Sequence, residues 1–190
     1  RDKQVNAFAL PGGYFGVYLG LISIVSTRDE LASVLAHELS HVTQRHIARM
    51  MDQQGKMTPL MIGSMILGAL AASRSPDAAA ALMVGGQAAV VQNQLNFTRD
   101  MEREADRIGF GLMKPAGYAQ QGFVGMFDKL QQANRINDNG SWPYLRSHPL
   151  TTQRISDMHA RIGKEDGAEP AATLDHVMMV ARARVLTRPG

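Results

Sequence analysis

One short segment, His37-Glu38-Leu39-Ser40-His41, constrains the fold of this 190-residue chain more than any other. On a helix, side chains at positions i and i+4 lie on the same face, one turn apart. Both imidazoles can therefore reach one metal ion if a helix runs through the segment. Glu38 points to the side of that pair, where it can hold a water molecule instead of acting as a ligand. Two histidine ligands, a carboxylate base and one open coordination position are the arrangement found in zinc peptidases.

The surrounding sequence predicts the required helix. Thr27 and Glu30 have the spacing of a capping box, and no proline or glycine interrupts the following segment before Gly55. Apolar residues recur at helical spacing between positions 31 and 50, namely Leu31, Val34, Leu35, Leu39, Val42 and Ile47. A surface helix with solvated histidines would show the same five-residue motif, so a third ligand is needed to decide between the two interpretations.

Glu102 is the candidate for that third ligand. It lies four residues before Asp106, on one face of a helix predicted to run through Asn93–Met113. If Glu102 binds the metal, Asp106 can accept the Nδ1–H of a ligand histidine. The alternative is an ordinary charged helix face, with Glu104 as the rival acid. Together with the upstream motif, the spacing favours Glu102.

The remaining segments predict an α+β fold that is predominantly α-helical. Two apolar runs around Pro11-Gly12-Gly13 predict a β-hairpin, and one of its strands is expected to border the metal cleft as a sheet edge. A peptide substrate can bind such an edge as an added strand. Helices are predicted over 119–136, 151–162 and 174–186, with a linker over 164–172. The predicted domains are therefore 1–165 and 166–190.

Leu60–Ala72 is almost wholly apolar and follows a predicted helix break at Gln53–Thr58. It is shorter than a membrane span of about 20 residues and contains Gly63 and Gly68. We expect it to be buried against the active-site helices or to cover the cleft, with contact at a membrane surface as the alternative. No segment reaches spanning length, so the sequence predicts a soluble protein.

Composition excludes one broad class of function. Twenty Lys and Arg residues against seventeen Asp and Glu give a net charge of +3, and the charges are interspersed. This pattern does not support nucleic-acid binding. The absence of cysteine excludes disulfides and thiolate ligands. The chain begins at Arg1 without a signal-type segment, and nothing about localisation is inferred from that start. His46, His159 and His176 are predicted to be surface residues.

Four motifs in the same order resemble the BepA/HtpX group of zinc metallopeptidases, which is metallopeptidase family forty-eight and includes the CAAX prenyl proteases. The resemblance covers Val5–Ile162, and it is greatest to the BepA branch. The motifs are Asn6–Gly13, His37-Glu38-x-x-His41, Glu102-x-x-Ala105-Asp106, and His148-Pro149 with Arg154. The chain does not resemble a metzincin, because Gln44 and Ile47 replace the glycine and the third histidine of that motif.

The resemblance implies a zincin-type domain with its small sheet beside the H-E-x-x-H helix. It also implies a periplasmic endopeptidase that acts on misfolded or stalled outer-membrane proteins, with degradative and chaperone-like roles. The Leu174–Leu186 helix would begin a helical-repeat (TPR-like) domain, whose remainder would bind the outer-membrane assembly machinery. Peripheral membrane contact is compatible with this role.

The family's residue roles transfer to matching positions of this sequence. One zinc ion would be held by His37, His41 and Glu102, with Asp106 supporting a ligand histidine and Glu38 as the base. The backbone of a substrate would be held by Asn6, Ala7 and Phe8.

His148 has two open roles in this scheme. It can be a fourth, inhibitory metal ligand that shuts the site at rest, or it can donate to the reaction's oxyanion with help from Arg154. The shut state is the one we expect. Two other classes stay open: a chaperone or binding module with a normally closed site, and a membrane-associated protease similar to HtpX.

Overall fold

The computed structural model describes residues 3–10, 12–135, 142–162 and 173–188. Their structure is predominantly helical with one two-stranded antiparallel sheet, which confirms the predicted fold class. The chain forms two compact units, Arg1–Gln44 with Glu102–Gly190, and Arg45–Met101. The elements are β1 (Ala7–Leu10), β2 (Tyr14–Val17), α1 (Leu19–Ile24), α2 (Arg28–Thr43), α3 (His46–Ala72), α4 (Pro76–Met113), α5 (Gln121–Arg135), α6 (Pro143–Ser147), α7 (Thr152–Arg161) and α8 (Leu174–Thr187).

The predicted β-hairpin is present. β1 pairs antiparallel with β2, from Ala7 opposite Val17 to Leu10 opposite Tyr14. The turn contains Gly12 with φ of 95°, a left-handed conformation that favours glycine. β1 packs against α2, so the sheet lies beside the H-E-x-x-H helix as expected. Within the described residues the sheet has only these two strands, and the outer edge of β1 is therefore unpaired.

The N-terminus of α2 is anchored by buried acidic residues. Thr27 Oγ1 accepts the Glu30 N–H at 3.2 Å, which is one half of the predicted capping box. The other half does not form, because the Glu30 carboxylate accepts from the Ser26 N–H at 2.5 Å and pairs with Lys129 instead. Asp29 accepts from the backbone N–H of Ala119 at 2.9 Å. These contacts fix α2 against α5 and the loop before it.

The predicted boundaries of α2 and α3 were wrong. α2 ends at Thr43 because Arg45 adopts a left-handed conformation, with φ of 54°. α3 then begins at His46 and continues through the predicted break, including Gly55 and Pro59. His46, predicted to be a surface residue, is only 1% exposed.

The core of the first unit lies between α2, α5 and α7, with α8 packed against α1. Its largest buried members include Phe110, Phe123, Met126, Phe127 and Met158.

Of the two other histidines that were predicted to lie at the surface, one is buried and one is exposed. His176, on α8, is buried with Nε2 3.4 Å from the Val25 carbonyl oxygen, so that prediction was wrong. His159 is exposed as predicted and lies near Asp128. The predicted linker over 164–172 lies outside the described residues, and the division into two domains remains a prediction.

The second unit contains α3 and the first part of α4. Among the described residues, α3 is the one helix long and apolar enough to cross a membrane by length and composition. The expectation that no segment reaches spanning length was therefore wrong. The predicted burial of Leu60–Ala72 was also wrong, because Ile66 and Leu70 are 56% and 69% exposed.

Candidate metal centre

Four side chains from three parts of the first unit converge on one point. His37 and His41 project from α2, Glu102 comes from α4, and His148 follows α6. One ligand atom from each lies within 4.8 Å of the others. The structure thus brings together the three predicted metal ligands and the predicted fourth one, while Glu104 lies outside the cluster.

The spacing of these donor atoms fits a tetrahedral metal site. Ligand bonds of about 2.0–2.1 Å place tetrahedral donor atoms about 3.3 Å apart. The observed distances are 3.0 Å from His37 Nε2 to His41 Nε2, 3.3 Å from His37 Nε2 to His148 Nδ1, 3.4 Å from His37 Nε2 to Glu102 Oε2, and 3.4 Å from His41 Nε2 to Glu102 Oε1. Three imidazoles and one carboxylate are also a donor set that suits a divalent transition metal such as zinc.

A close approach of α4 to α2 brings Glu102 to the two histidines. Gly109 lies two turns beyond Glu102, on the same face of α4. A Cβ at Gly109 would lie 3.0 Å from the backbone carbon of Ala36, so the absence of a side chain lets the helices approach. Ala105, between them on α4, is fully buried.

Asp106 and Arg154 support the cluster from behind. Asp106 Oδ1 lies 2.9 Å from His37 Nδ1, which directs Nε2 of that ring toward the other donors. Arg154 is 4% exposed and donates to both Asp106 oxygens, at 2.6 and 2.8 Å. It also donates to Glu102 Oε2 at 2.9 Å and to the Pro149 carbonyl at 2.8 Å. These contacts indicate that Arg154 positions the carboxylates and the loop rather than the reacting atoms.

The electrostatics favour a cation at this place. Burial alone would raise the pKa of Glu102, but hydrogen bonds from His148, His37 and His41 hold it far below its usual range. Burial likewise opposes ionisation of Asp106, yet Arg154 and His37 lower its pKa. Both buried carboxylates are therefore ionised.

The two motif histidines respond differently to the same surroundings. Burial lowers the pKa of His37, but Asp106 and Glu102 outweigh burial and raise it to about 9. Burial also lowers the pKa of His41, and there it prevails over Glu102. The two carboxylates thus favour a positive charge at the His37 ring, whose Nε2 points at the other donors.

Glu38 carries a buried oxygen that needs a hydrogen-bond donor. The residue is 2% exposed, and its Oε1 makes no hydrogen bond to any described residue. The nearest charged contact is His148 Nε2, at 3.4 Å. Because buried acceptors are almost always satisfied, this oxygen lies where a water molecule or a substrate proton fits.

Tyr144 holds His148 in the cluster, a role that no sequence pattern predicted. The two rings lie 4.6 Å apart at 30°, and the His148 N–H donates to the Tyr144 carbonyl at 2.8 Å. Tyr144 is itself anchored by its N–H to the Val5 carbonyl. His148 consequently places Nδ1 3.2 Å from Glu102 and Nε2 near Glu38.

The predicted substrate-binding residues lie on or beside β1, outside the cluster. The Asn6 carbonyl accepts from the Tyr18 N–H at 3.0 Å, and Asn6 Oδ1 is buried with no hydrogen-bond partner among the described residues. Ala7 is buried, and the ring of Phe8 packs over Gly16.

An H-E-x-x-H pair with a downstream glutamate on a neighbouring helix is typical of a metallopeptidase site. Comparison with known proteins gives the family. The model for "Peptidase family M48" matches residues 1–162. The chain belongs to this family.

Three relatives show how much of a longer protein the chain represents. It is 36% identical to the beta-barrel assembly-enhancing protease of Yersinia pestis over 98% of this chain and 38% of that protein. It is 36% identical to the protein of the same name in Escherichia coli K12, over 85% of this chain and 33% of that protein. Metalloprotease YcaL of Escherichia coli K12 is 29% identical, over 84% and 59%. The chain therefore spans about two fifths or less of the beta-barrel assembly-enhancing proteases.

Proposed function

We propose that this chain is the protease domain of a zinc-dependent endopeptidase that acts on misfolded or stalled outer-membrane proteins in the periplasm. The observation that carries the proposal is the partly buried cluster of His37, His41, Glu102 and His148, whose donor atoms all lie within 4.8 Å of one another. The biological setting is supported by the names of the relatives, which are beta-barrel assembly-enhancing proteases.

His37, His41 and Glu102 would hold the zinc ion. A zinc ion bound there would polarise the scissile carbonyl and acidify the attacking water. Asp106 accepts the Nδ1–H of His37 and so keeps Nε2 free to bind. Arg154 keeps both carboxylates ionised and in place through its four short contacts.

Glu38 would be the general base. Its unpaired Oε1 can accept the proton of the attacking water and then transfer it to the leaving amine. Burial of Glu38 keeps this proton within the site during both transfers. The extended substrate would lie along the outer edge of β1, held by the backbone of Ala7 and Phe8 and by Asn6.

His148 would close the site at rest. Its Nδ1 lies 3.3 Å from His37 Nε2, a distance at which it would fill the fourth position of a bound zinc ion, where water must enter. Opening would require the loop at His148-Pro149 to move, which breaks the ring contact with Tyr144 and the hydrogen bond from Arg154 to Pro149. An imidazole as the fourth ligand thus supports a self-inhibited resting state.

The same closed geometry favours a second candidate, a chaperone or binding module that seldom cleaves. In either case the second predicted domain, 166–190, would begin a helical-repeat region that recruits the outer-membrane assembly machinery. The two candidates differ in whether biological activity survives the loss of Glu38.

The test combines metal analysis with a casein cleavage assay on the purified chain. We expect about one zinc ion per chain, as a single four-ligand site holds. Cleavage should be lost with a chelator and restored by added zinc. A chain that binds no zinc, or that cleaves equally well after chelation, would contradict the proposal.

A further inference from the structure

In the second unit, small residues lie between the two helices and large apolar residues face outward. This is the opposite of the arrangement in a water-soluble helical hairpin. Small residues form the seam between α3 and the first part of α4. A Cβ at Gly68 would lie 2.7 Å from Met83 Cγ, and a Cβ at Gly86 would lie 2.2 Å from Ser64 Oγ. Ser64 Oγ donates to the Met61 carbonyl at 2.8 Å, so no hydroxyl is left unsatisfied in the seam. Contact through small residues is the usual packing of helices in membranes.

Most large apolar side chains point outward instead, and Met83 does so only in part because it also lies against Gly68 in the seam. Successive residues on a helix are about 100° apart, so three exposed neighbours cover most of its circumference. On α3 this occurs twice, at 60–62 and 65–67. The exposed large apolar residues are Leu60, Met61, Ile62, Met65, Ile66, Leu67 and Leu70 on α3, and Leu82, Met83, Val84 and Val91 on α4. A helix that is apolar all round is typical of a protein core or a membrane, and α3 is not in a core.

Charged residues flank this apolar part and are absent from it. Residues 57–73 and 78–98 carry no charge. Within 45–101 there are five basic residues and three acidic ones, an excess of two positive charges. The basic residues are Arg45, Arg49, Lys56, Arg74 and Arg99, and the acidic ones are Asp52, Asp77 and Asp100. We call the end of the hairpin formed by residues 45–56 and 99–101 its base. Four of the five basic residues lie there, where they suit anionic lipid headgroups.

The length of the uncharged segment also fits a bilayer. Residues 57–73 rise by about 25 Å at 1.5 Å per residue, compared with a hydrocarbon layer of about 30 Å. On α4 the apolar part is shorter, and the polar run Gln92-Asn93-Gln94 follows it toward the base. An immersed hairpin would place this run at the level of the headgroups.

We propose that the α3–α4 hairpin binds an anionic lipid bilayer and inserts its uncharged apolar part, within residues 57–73 and 78–91, into the hydrocarbon layer. A protein partner or a second copy of the chain would cover one side of the hairpin, whereas lipid surrounds it. The wide exposed arc of α3 outside its seam with α4, together with the excess of basic residues, therefore favours lipid. This interaction is separate from the peptidase site and does not depend on the proposed substrate.

Flotation with vesicles of phosphatidylethanolamine and phosphatidylglycerol tests the proposal on the full chain loaded with zinc. We expect the wild type to float with the vesicles, and Ile66→Asp with Leu67→Asp to reduce the bound fraction at least about tenfold, since a carboxylate within the hydrocarbon layer strongly disfavours insertion. The matched control is Leu174→Asp with Met178→Asp on α8, two residues that are 76% and 64% exposed. This control should float like the wild type.

A tryptophan at the hairpin then measures depth. In a Trp142→Phe background, which removes the only native tryptophan, Ile66→Trp should be quenched by bromolipids, while Met51→Trp in the charged part of α3 should not. Equal quenching at both positions, or none at Ile66→Trp, would overturn insertion. Self-association that Ile66→Asp abolishes, in a chain that does not float, would assign the surface to a second copy and overturn the lipid proposal.

Discussion

The two parts of α4 place their side chains in opposite ways. Beyond residue 101, the helix buries two ionised acids, Glu102 and Asp106, at 4% and 1% exposure. Before that residue it exposes Val84 and Val91, at 67% and 52%. The buried acids are stabilised by Arg154 and the histidines, whereas the exposed apolar residues have no compensating contact in water. One helix therefore contributes buried acids to a polar site in one unit and exposed apolar residues to a surface in the other.

The largest effect is expected at the polar end of this comparison. Glu38→Gln should retain the fold and the metal but lower casein cleavage by roughly 10²–10⁴, because the amide cannot accept a proton. Cleavage and zinc content should be measured on the same preparation. A variant with near-normal cleavage would show that Glu38 is not the base. Loss of biological activity together with cleavage would weigh against the chaperone alternative.

A matched pair of truncations sharpens the comparison between core and surface. Leu130→Ala, in the core at 3% exposure, should lower the free energy of unfolding by about 2–5 kcal/mol. Ile66→Ala, at 56% exposure, should change it by less than about 0.5 kcal/mol in the absence of lipid. Denaturant unfolding of both variants measures the difference. A large loss for Ile66→Ala would mean that the hairpin surface is covered in solution.

Asp106→Asn should weaken metal binding by about 10–100-fold, the usual cost of removing a carboxylate that orients a ligand histidine. The asparagine retains a hydrogen-bond acceptor for His37 but loses the charge that Arg154 faces. Competition with a metal-binding dye measures the affinity. An unchanged affinity would mean that Asp106 serves only the fold.

The smallest effect is expected at His148. His148→Ala should raise cleavage, on the order of tenfold if the closed state outnumbers the open state by that factor. The experiment compares initial rates at equal zinc occupancy. Lower cleavage would instead support a role for His148 at the oxyanion, and unchanged cleavage would remove it from both roles.

Local spacing predicted the helical pairs of the metal site and the family resemblance pointed to His148, but neither predicted how His148 is held. The pairs His37 with His41 and Glu102 with Asp106 follow from helical periodicity, which needs no tertiary information. The stacking of Tyr144 under His148 depends on how α6 meets β1, and no sequence pattern reports that. The end of α2 was missed because Arg45 takes a positive φ without being a glycine.

Burial was the least predictable property. The apolar run from Leu60 to Ala72 was expected to be buried, since apolar runs in water-soluble chains usually are. His176 was expected at the surface, yet the packing of α8 on α1 buries it. In both cases the outcome depends on a neighbouring surface that the local sequence does not specify.

The central claim is that His37, His41 and Glu102 hold one metal ion. Metal analysis of three proteins tests it most directly: the wild type, Glu102→Ala, and the matched control Glu104→Ala two residues away. The account predicts about one zinc ion per chain in the wild type and in Glu104→Ala, and a strongly reduced content in Glu102→Ala, which loses one of three ligands. Equal zinc in Glu102→Ala and the wild type would contradict it.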